Sequence, residues 1–274
     1  MKGSIHSCNR AALRMLAAAL LPLALGGCAT TGINRGQMNI VSSDEEVKLG
    51  QELSVEVAKQ YPIYNNAAVT AYVQAVGDKI AHTSDRKDIA YHFAVINQNA
   101  VNAFSLPGGY VYAYTELMKA AGDEAEFASV IAHEVAHVAA RHSTERLTDE
   151  YGYQFISGLV LGGNPNATAK LITDLAATGG FLKYSRDDEY EADQLGAKYL
   201  HAAGYDPQAM VDFLGKLKAL EANEPSKFEA WLMTHPTASE RLARVKSEVA
   251  GFPKLANPAR NAAAYAEIKA QLPK

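Results

Sequence analysis

The chain has 274 residues, enough for one large domain or two small ones. With 48% apolar and 20% charged residues it can bury a core, which excludes disorder as its overall state. The net charge of -4 excludes a basic surface for gripping nucleic acid, and two cysteines, Cys8 and Cys28, exclude a disulfide framework or a cysteine-built zinc site.

Residues 1–27 read as an export leader. Lys2, Arg10 and Arg14 form a basic start without an acidic residue, and Leu16 to Leu25 is an apolar run broken by Pro22, too short to span a bilayer. Leu25-Gly26-Gly27-Cys28 then resembles the lipobox of a bacterial lipoprotein. That resemblance implies removal of residues 1–27 and acylation of Cys28. Ala29 after the cysteine, in place of Asp, implies the outer membrane as the destination. Residues 28–43 are polar and Gly-containing, as in a tether between lipid and globule, and residues 44–274 form the folded domain.

Asp44-Glu45-Glu46 opens an amphipathic helix to about Tyr61, and a second helix is expected over Asn66 to His82. Between Ala90 and Ala113 the pattern changes to short strands. Tyr91, Phe93 and Val95 alternate with their neighbours, Val101 to Phe104 and Tyr110 to Tyr114 follow, and Pro107-Gly108-Gly109 supplies the turn. Beyond Thr115 the periodicity is helical. Met210, Phe213, Leu214 and Leu217 mark one buried face, and Leu242, Val245 and Val249 another. Phe155 to Leu161 is apolar but far too short to cross a membrane.

The informative segment runs from Asp123 to His142, a helix with acids at its start and Arg141-His142 at its end. Its middle is apolar almost all round, as in a buried helix, yet it carries His133, Glu134 and His137. Burying such groups without partners costs on the order of 2 kcal/mol or more each. A metal answers that cost. His133 and His137, four residues apart, lie about 40° apart around the helix axis and reach one zinc. Glu134, about 100° away, stands beside the metal face, where a base for an activated water belongs.

A third ligand is needed. A metzincin would carry Gly at 140 and His at 143, but the chain has Ala140 and Ser143, and His142 is one residue short. The segment Ser185 to Leu200 offers acids instead. Glu189 and Asp193 share a face at i, i+4, pairing a carboxylate ligand with a carboxylate able to hold a ligating histidine's other N–H; Glu191 lies nearly opposite, with Leu195 as its i+4 neighbour. The spacing favours Glu189 over Glu191.

These motifs together resemble the HtpX and CaaX-prenyl-protease type of zinc peptidase, the forty-eighth metallopeptidase family. His133-Glu134-x-x-His137 and Glu189-x-x-x-Asp193 carry the likeness, with Asn102-Ala103-Phe104 before Pro107-Gly108-Gly109, and Thr234-His235-Pro236 followed by Arg241. The resemblance spans roughly residues 44–250. It implies His133, His137 and Glu189 as ligands of one zinc, Asp193 behind a ligand, and Glu134 as the base. His235 is implied as a fourth ligand at rest or an oxyanion donor, Arg241 as a further catalytic group, and Asn102, Ala103 and Phe104 as a substrate-pairing strand. HtpX and the prenyl proteases are polytopic, and no spanning run follows the leader here, so the chain looks like a lipoprotein branch of the family.

The expectation is a mostly α, α+β zincin-like domain whose zinc helix packs on a small sheet of about three strands. The expected function is zinc-dependent endopeptidase action on unfolded or misassembled envelope proteins, from a lipid anchor on the periplasmic side of the outer membrane. The alternative is a non-catalytic, zinc-stabilised chaperone or assembly lipoprotein using the same groove. The intact Glu134 weighs against that alternative, because a purely structural site has no use for a base.

Overall fold

The computed structural model describes residues 41–152, 183–223, 225–235 and 238–274, with Ile33 and Gly158. The leader, Cys28, most of the tether, the apolar run from Phe155 and Pro236 lie outside the described residues. Among the described residues no helix is long and apolar enough to cross a membrane.

Helix α1 spans Ser43–Gln60. Ser42 starts it through a reciprocal cap: its hydroxyl accepts from the Glu45 N–H, and the Glu45 carboxylate accepts from the Ser42 N–H at 2.8 Å. Such caps contribute about 1 kcal/mol. Val41, just before the cap, is already buried in the core, so packing begins at the end of the expected tether. Helix α2, Ala67–Ala81, is capped by the Asn66 side chain.

Strands β1 (His92–Ile96), β2 (Ala103–Leu106) and β3 (Tyr110–Tyr114) form one mixed sheet in the order β1-β3-β2. β1 runs parallel to β3, with His92 opposite Tyr110, and β2 runs antiparallel, with Ala103 opposite Ala113. The second strand thus lies two residues later than expected. Asn102 still accepts the Tyr114 N–H at 2.9 Å, but the strand itself continues into the turn at Pro107–Gly109. Gly108 makes that turn with φ 74°, and a Cβ there would stand 2.6 Å from the Val47 Cα of α1. A side chain is excluded on both counts.

Both faces of the sheet are covered. Ile96, Phe104, Leu106, Tyr112 and Tyr114 pack with Leu49, Leu53 and Val57 of α1. The opposite face meets α2 and α4, which is why every residue of β2 is buried. After the short α3 (Thr115–Ala120), α4 spans Glu124–Ala140, capped by the Asp123 side chain. All its residues are buried, as the apolar girth of the segment demands.

The helix expected to reach His142 stops at Ala140. Arg141 takes the left-handed conformation, φ 63° and ψ 26°, and α5 (His142–Tyr151) leaves in a new direction. Left-handed geometry costs a non-glycine residue about 1–2 kcal/mol. Two contacts hold it: Arg141 Nε donates to the buried Glu46 carboxylate at 2.6 Å, and its Nη2 donates to the Val41 carbonyl.

Helix α6, Arg186–Ala202, begins with a reciprocal cap between Ser185 and Asp188 and crosses α4. Gly196 sits at the crossing, where a Cβ would lie 3.1 Å from the backbone of His133. Helices α7 (Gln208–Asn223), α8 (Pro225–Thr234), α9 (Ala238–Ala250) and α10 (Ala262–Lys269) complete the described chain. The expected mostly α domain, with its central helix on a three-stranded sheet, is what forms.

Candidate metal centre

Four buried side chains converge from three helix segments. His133 and His137 project from the middle of α4, Glu189 from the first turn of α6, and His235 follows the end of α8. One ligand atom from each lies within 4.8 Å of the others. The Nε2 atoms of His133 and His137 are 3.1 Å apart. Glu189 Oε1 is 3.4 Å from His137 Nε2 and 2.9 Å from His235 Nδ1, and Glu189 Oε2 is 3.6 Å from His133 Nε2. Buried imidazole nitrogens and a carboxylate oxygen gathered at one point are the donor set that zinc takes. Burial pushes His137 well below the usual histidine range, so its ring is neutral and a lone pair is available. The residues therefore fit a zinc ion.

The surroundings explain the charge balance. Burial favours a protonated Glu189, but the Arg241 guanidinium and His235 outweigh it and hold the carboxyl well below its usual range. Asp193 is likewise held low by Arg241 against the same desolvation. Arg241, 1% exposed, donates from Nε and Nη2 to Asp193 at 2.7 Å each and places Nη1 2.6 Å from Glu189 Oε2. Burial opposes charge on His235, yet Glu189 and Glu134 raise it above the ordinary histidine value.

The expected ligands His133, His137 and Glu189 lie together with Glu134, Asp193, His235 and Arg241. Asp193 Oδ1 lies 3.0 Å from His133 Nδ1, which leaves His133 Nε2 for the metal position. Glu134 stands beside the ligand group. Its Oε2 accepts from the Ser105 hydroxyl at 3.0 Å, and its Oε1 is 3.3 Å from His235 Nε2.

The side chains of the strand residues divide between the site and the core. Asn102 accepts the Ala103 N–H on its side chain, and the Ala103 carbonyl is 3.4 Å from His235 Nε2. Phe104 faces the α1 core instead, 4.9 Å from the Tyr112 ring. Ser105, on the α4 face, is the side chain of β2 that touches the site.

Four contributors had no motif to mark them. Ser105 is a lone serine in a strand, legible once the sheet's α4 face is known. Tyr184 stacks on His137 with ring centroids 3.8 Å apart and pairs its hydroxyl with Ser143 at 2.9 Å. His142 places its Nδ1 2.9 Å from His137 Nδ1, and Glu191 lies 3.2 Å from His142 Nε2. Glu191, set aside as a ligand by its position on α6, does stand away from the metal group but reaches this neighbouring histidine.

Comparison with known proteins agrees with the geometry. The chain is 31% identical over 216 residues to the beta-barrel assembly-enhancing protease of Escherichia coli (strain K12), covering 76% of this chain and 44% of that protein. It is 31% identical over 218 residues to the mitochondrial metalloendopeptidase OMA1 of Schizosaccharomyces pombe, covering 78% of this chain and 64% of that protein. The chain therefore spans less than two thirds of either relative. The model of "Peptidase family M48" matches residues 67–249, which hold all the candidate ligands, the candidate base and Arg241. On that match and this arrangement of side chains, the chain belongs to peptidase family M48.

Proposed function

We propose that the protein is a zinc-dependent endopeptidase of the bacterial envelope. The observation that carries the reading is the place of Glu134: fully buried, adjacent to the four-residue ligand group but not part of it, and oriented by Ser105. His133, His137 and Glu189 would hold the metal. Bound zinc supplies a Lewis acid that lowers the pKa of water towards about 7. Glu134 takes the proton of the attacking water and returns it to the leaving amine. Asp193 fixes the His133 tautomer, and Arg241 holds Asp193 and Glu189 in register. His235 lies within the ligand group, which supports a fourth ligand at rest; its contact with the Ala103 carbonyl supports a place beside a peptide that pairs with β2.

The proposed substrates are unfolded or misassembled envelope proteins, and the name of the E. coli relative supports a link to beta-barrel assembly. The lipobox at Cys28 supports an anchor on the periplasmic side of the outer membrane. The test is digestion of casein and of an unfolded porin by purified protein, with and without chelator, beside the Glu134→Gln variant. Zinc content equal to wild type with hydrolysis lost is expected. Activity within tenfold of wild type would remove Glu134 as the base, and binding without cleavage by the wild type would favour a chaperone.

A further inference from the structure

The two histidines of α4 are backed differently. Behind His133 stands Asp193, a buried carboxylate neutralised by Arg241. Behind His137 stands another imidazole. His142 is fully buried, with its Nδ1 2.9 Å from His137 Nδ1 and its Nε2 3.2 Å from Glu191 Oε2. We propose that His142 and Glu191 are positioning residues, a hydrogen-bonded relay that fixes the tautomer and orientation of the ligand His137. This rests on the reading of the site as a zinc centre.

The proton count allows one assignment. For His137 to present a lone pair on Nε2, where Glu189 and His133 converge, its proton must sit on Nδ1. That N–H then donates to His142 Nδ1, which must carry the lone pair. The proton of His142 is therefore on Nε2 and donates to the Glu191 carboxylate. Every donor in the series meets an acceptor. Reversing His142 would set N–H against N–H and leave a lone pair facing the carboxylate, and reversing His137 would set lone pair against lone pair and put its proton on the metal side. Partners of this kind raise the basicity of a ligand and hold its ring plane.

The backbone makes the relay possible. Had α4 continued through residue 142, His142 would stand about 140° around the axis from His137, pointing away from it. The left-handed turn at Arg141 ends the helix and brings His142 back beneath His137. Tyr184, stacked on the face of the His137 ring whose edge meets His142, completes the seating of the ring. Glu191 arrives from α6, the helix that supplies Glu189, so both histidines of α4 are oriented from α6.

The test measures zinc dissociation constants by chelator competition, with thermal unfolding of the metal-free proteins alongside. His142→Leu should weaken zinc binding by roughly 10–100-fold while leaving the metal-free unfolding temperature close to wild type. His142→Asn, whose side-chain carbonyl stands near the place of Nδ1, should recover most of that affinity. Cobalt(II)-loaded Glu191→Gln should show an altered visible spectrum with its fold intact. Wild-type affinity in His142→Leu would overturn the relay, as would a loss that His142→Asn fails to recover together with a fall in metal-free stability. Failure of the wild type to bind zinc would instead overturn the reading of the site.

Discussion

Replacing Arg241 with methionine separates two roles for that residue. The guanidinium is buried and touches two buried carboxylates, Asp193 through two bonds of 2.7 Å and Glu189 at 2.6 Å. Methionine fills much of the volume but leaves both acids without their counter-charge. Removing one partner of a buried pair costs roughly 3–5 kcal/mol. Each kcal/mol moves the midpoint of a domain this size by roughly 2–4 °C, so the metal-free variant should melt roughly 6–20 °C below wild type. Zinc compensates Glu189 but not Asp193, so the deficit should shrink, without vanishing, in zinc-loaded protein. Calorimetry or scanning fluorimetry with and without chelator reads both numbers. A metal-free midpoint within about 2 °C of wild type, with kcat reduced by roughly 10²-fold, would refute this reasoning and make Arg241 an oxyanion donor.

Three further outcomes are expected. If His235 closes the metal site at rest, His235→Ala raises basal cleavage of a short peptide without loss of zinc, whereas an oxyanion donor would show a fall of roughly 10²–10³-fold. Glu189→Ala should lower zinc occupancy measured by elemental analysis, and Glu191→Ala should leave the site occupied at saturating metal. The third concerns Arg260, which binds Asp123 and Asp206 at 3.0 Å and Asp212 at 2.5 Å. Burial works against charge on Asp212, but bonds from Arg260 and Gln208 outweigh it and keep its carboxyl below the ordinary 3.8. A depressed carboxyl contributes stability that is complete above the unfolded value and is lost as pH falls through the folded one. Denaturant midpoints should therefore drop below about pH 4, and Arg260→Gln should flatten that drop.

The parts of the site legible in the sequence are those carried by one helix. His133, Glu134 and His137 are related by helical geometry alone, and so are Glu189 and Asp193, since i, i+4 neighbours share a face in any α-helix. What crosses between elements was legible only where a missing third ligand or the family resemblance marked it, as at Glu189, His235 and Arg241. Arg141 is neither glycine nor asparagine, so nothing at that position announces a left-handed break; the contacts that hold it come from Glu46 and Val41, about a hundred residues away. With the break unseen, His142 is a helix-terminal cation near the dipole instead of a partner for His137. Glu191, whose partner is His142, was obscured for the same reason, and Ser105 because the face of β2 that meets α4 is set by the sheet. The second strand was misplaced because Val101, Ala103 and Phe104 read as one apolar run, whereas its boundary is set by pairing with β3 from Ala103 to Leu106.

Gly196 has a consequence for how the metal site is dimensioned. Because α4 and α6 meet backbone to backbone there, the span between the histidine pair and Glu189 is gauged by two main chains and not by interleaved side chains. Main-chain contacts are stiff, so the aperture available to an ion is fixed before any ligand side chain turns towards it. Zinc–ligand bonds of about 2.0–2.1 Å and calcium–oxygen bonds of about 2.3–2.6 Å differ by only a few tenths of an ångström. A single methyl group at position 196, lodged against the His133 backbone, would wedge the helices apart by a comparable amount. The residue that calibrates the centre for a small cation is thus one that contributes no atom to it.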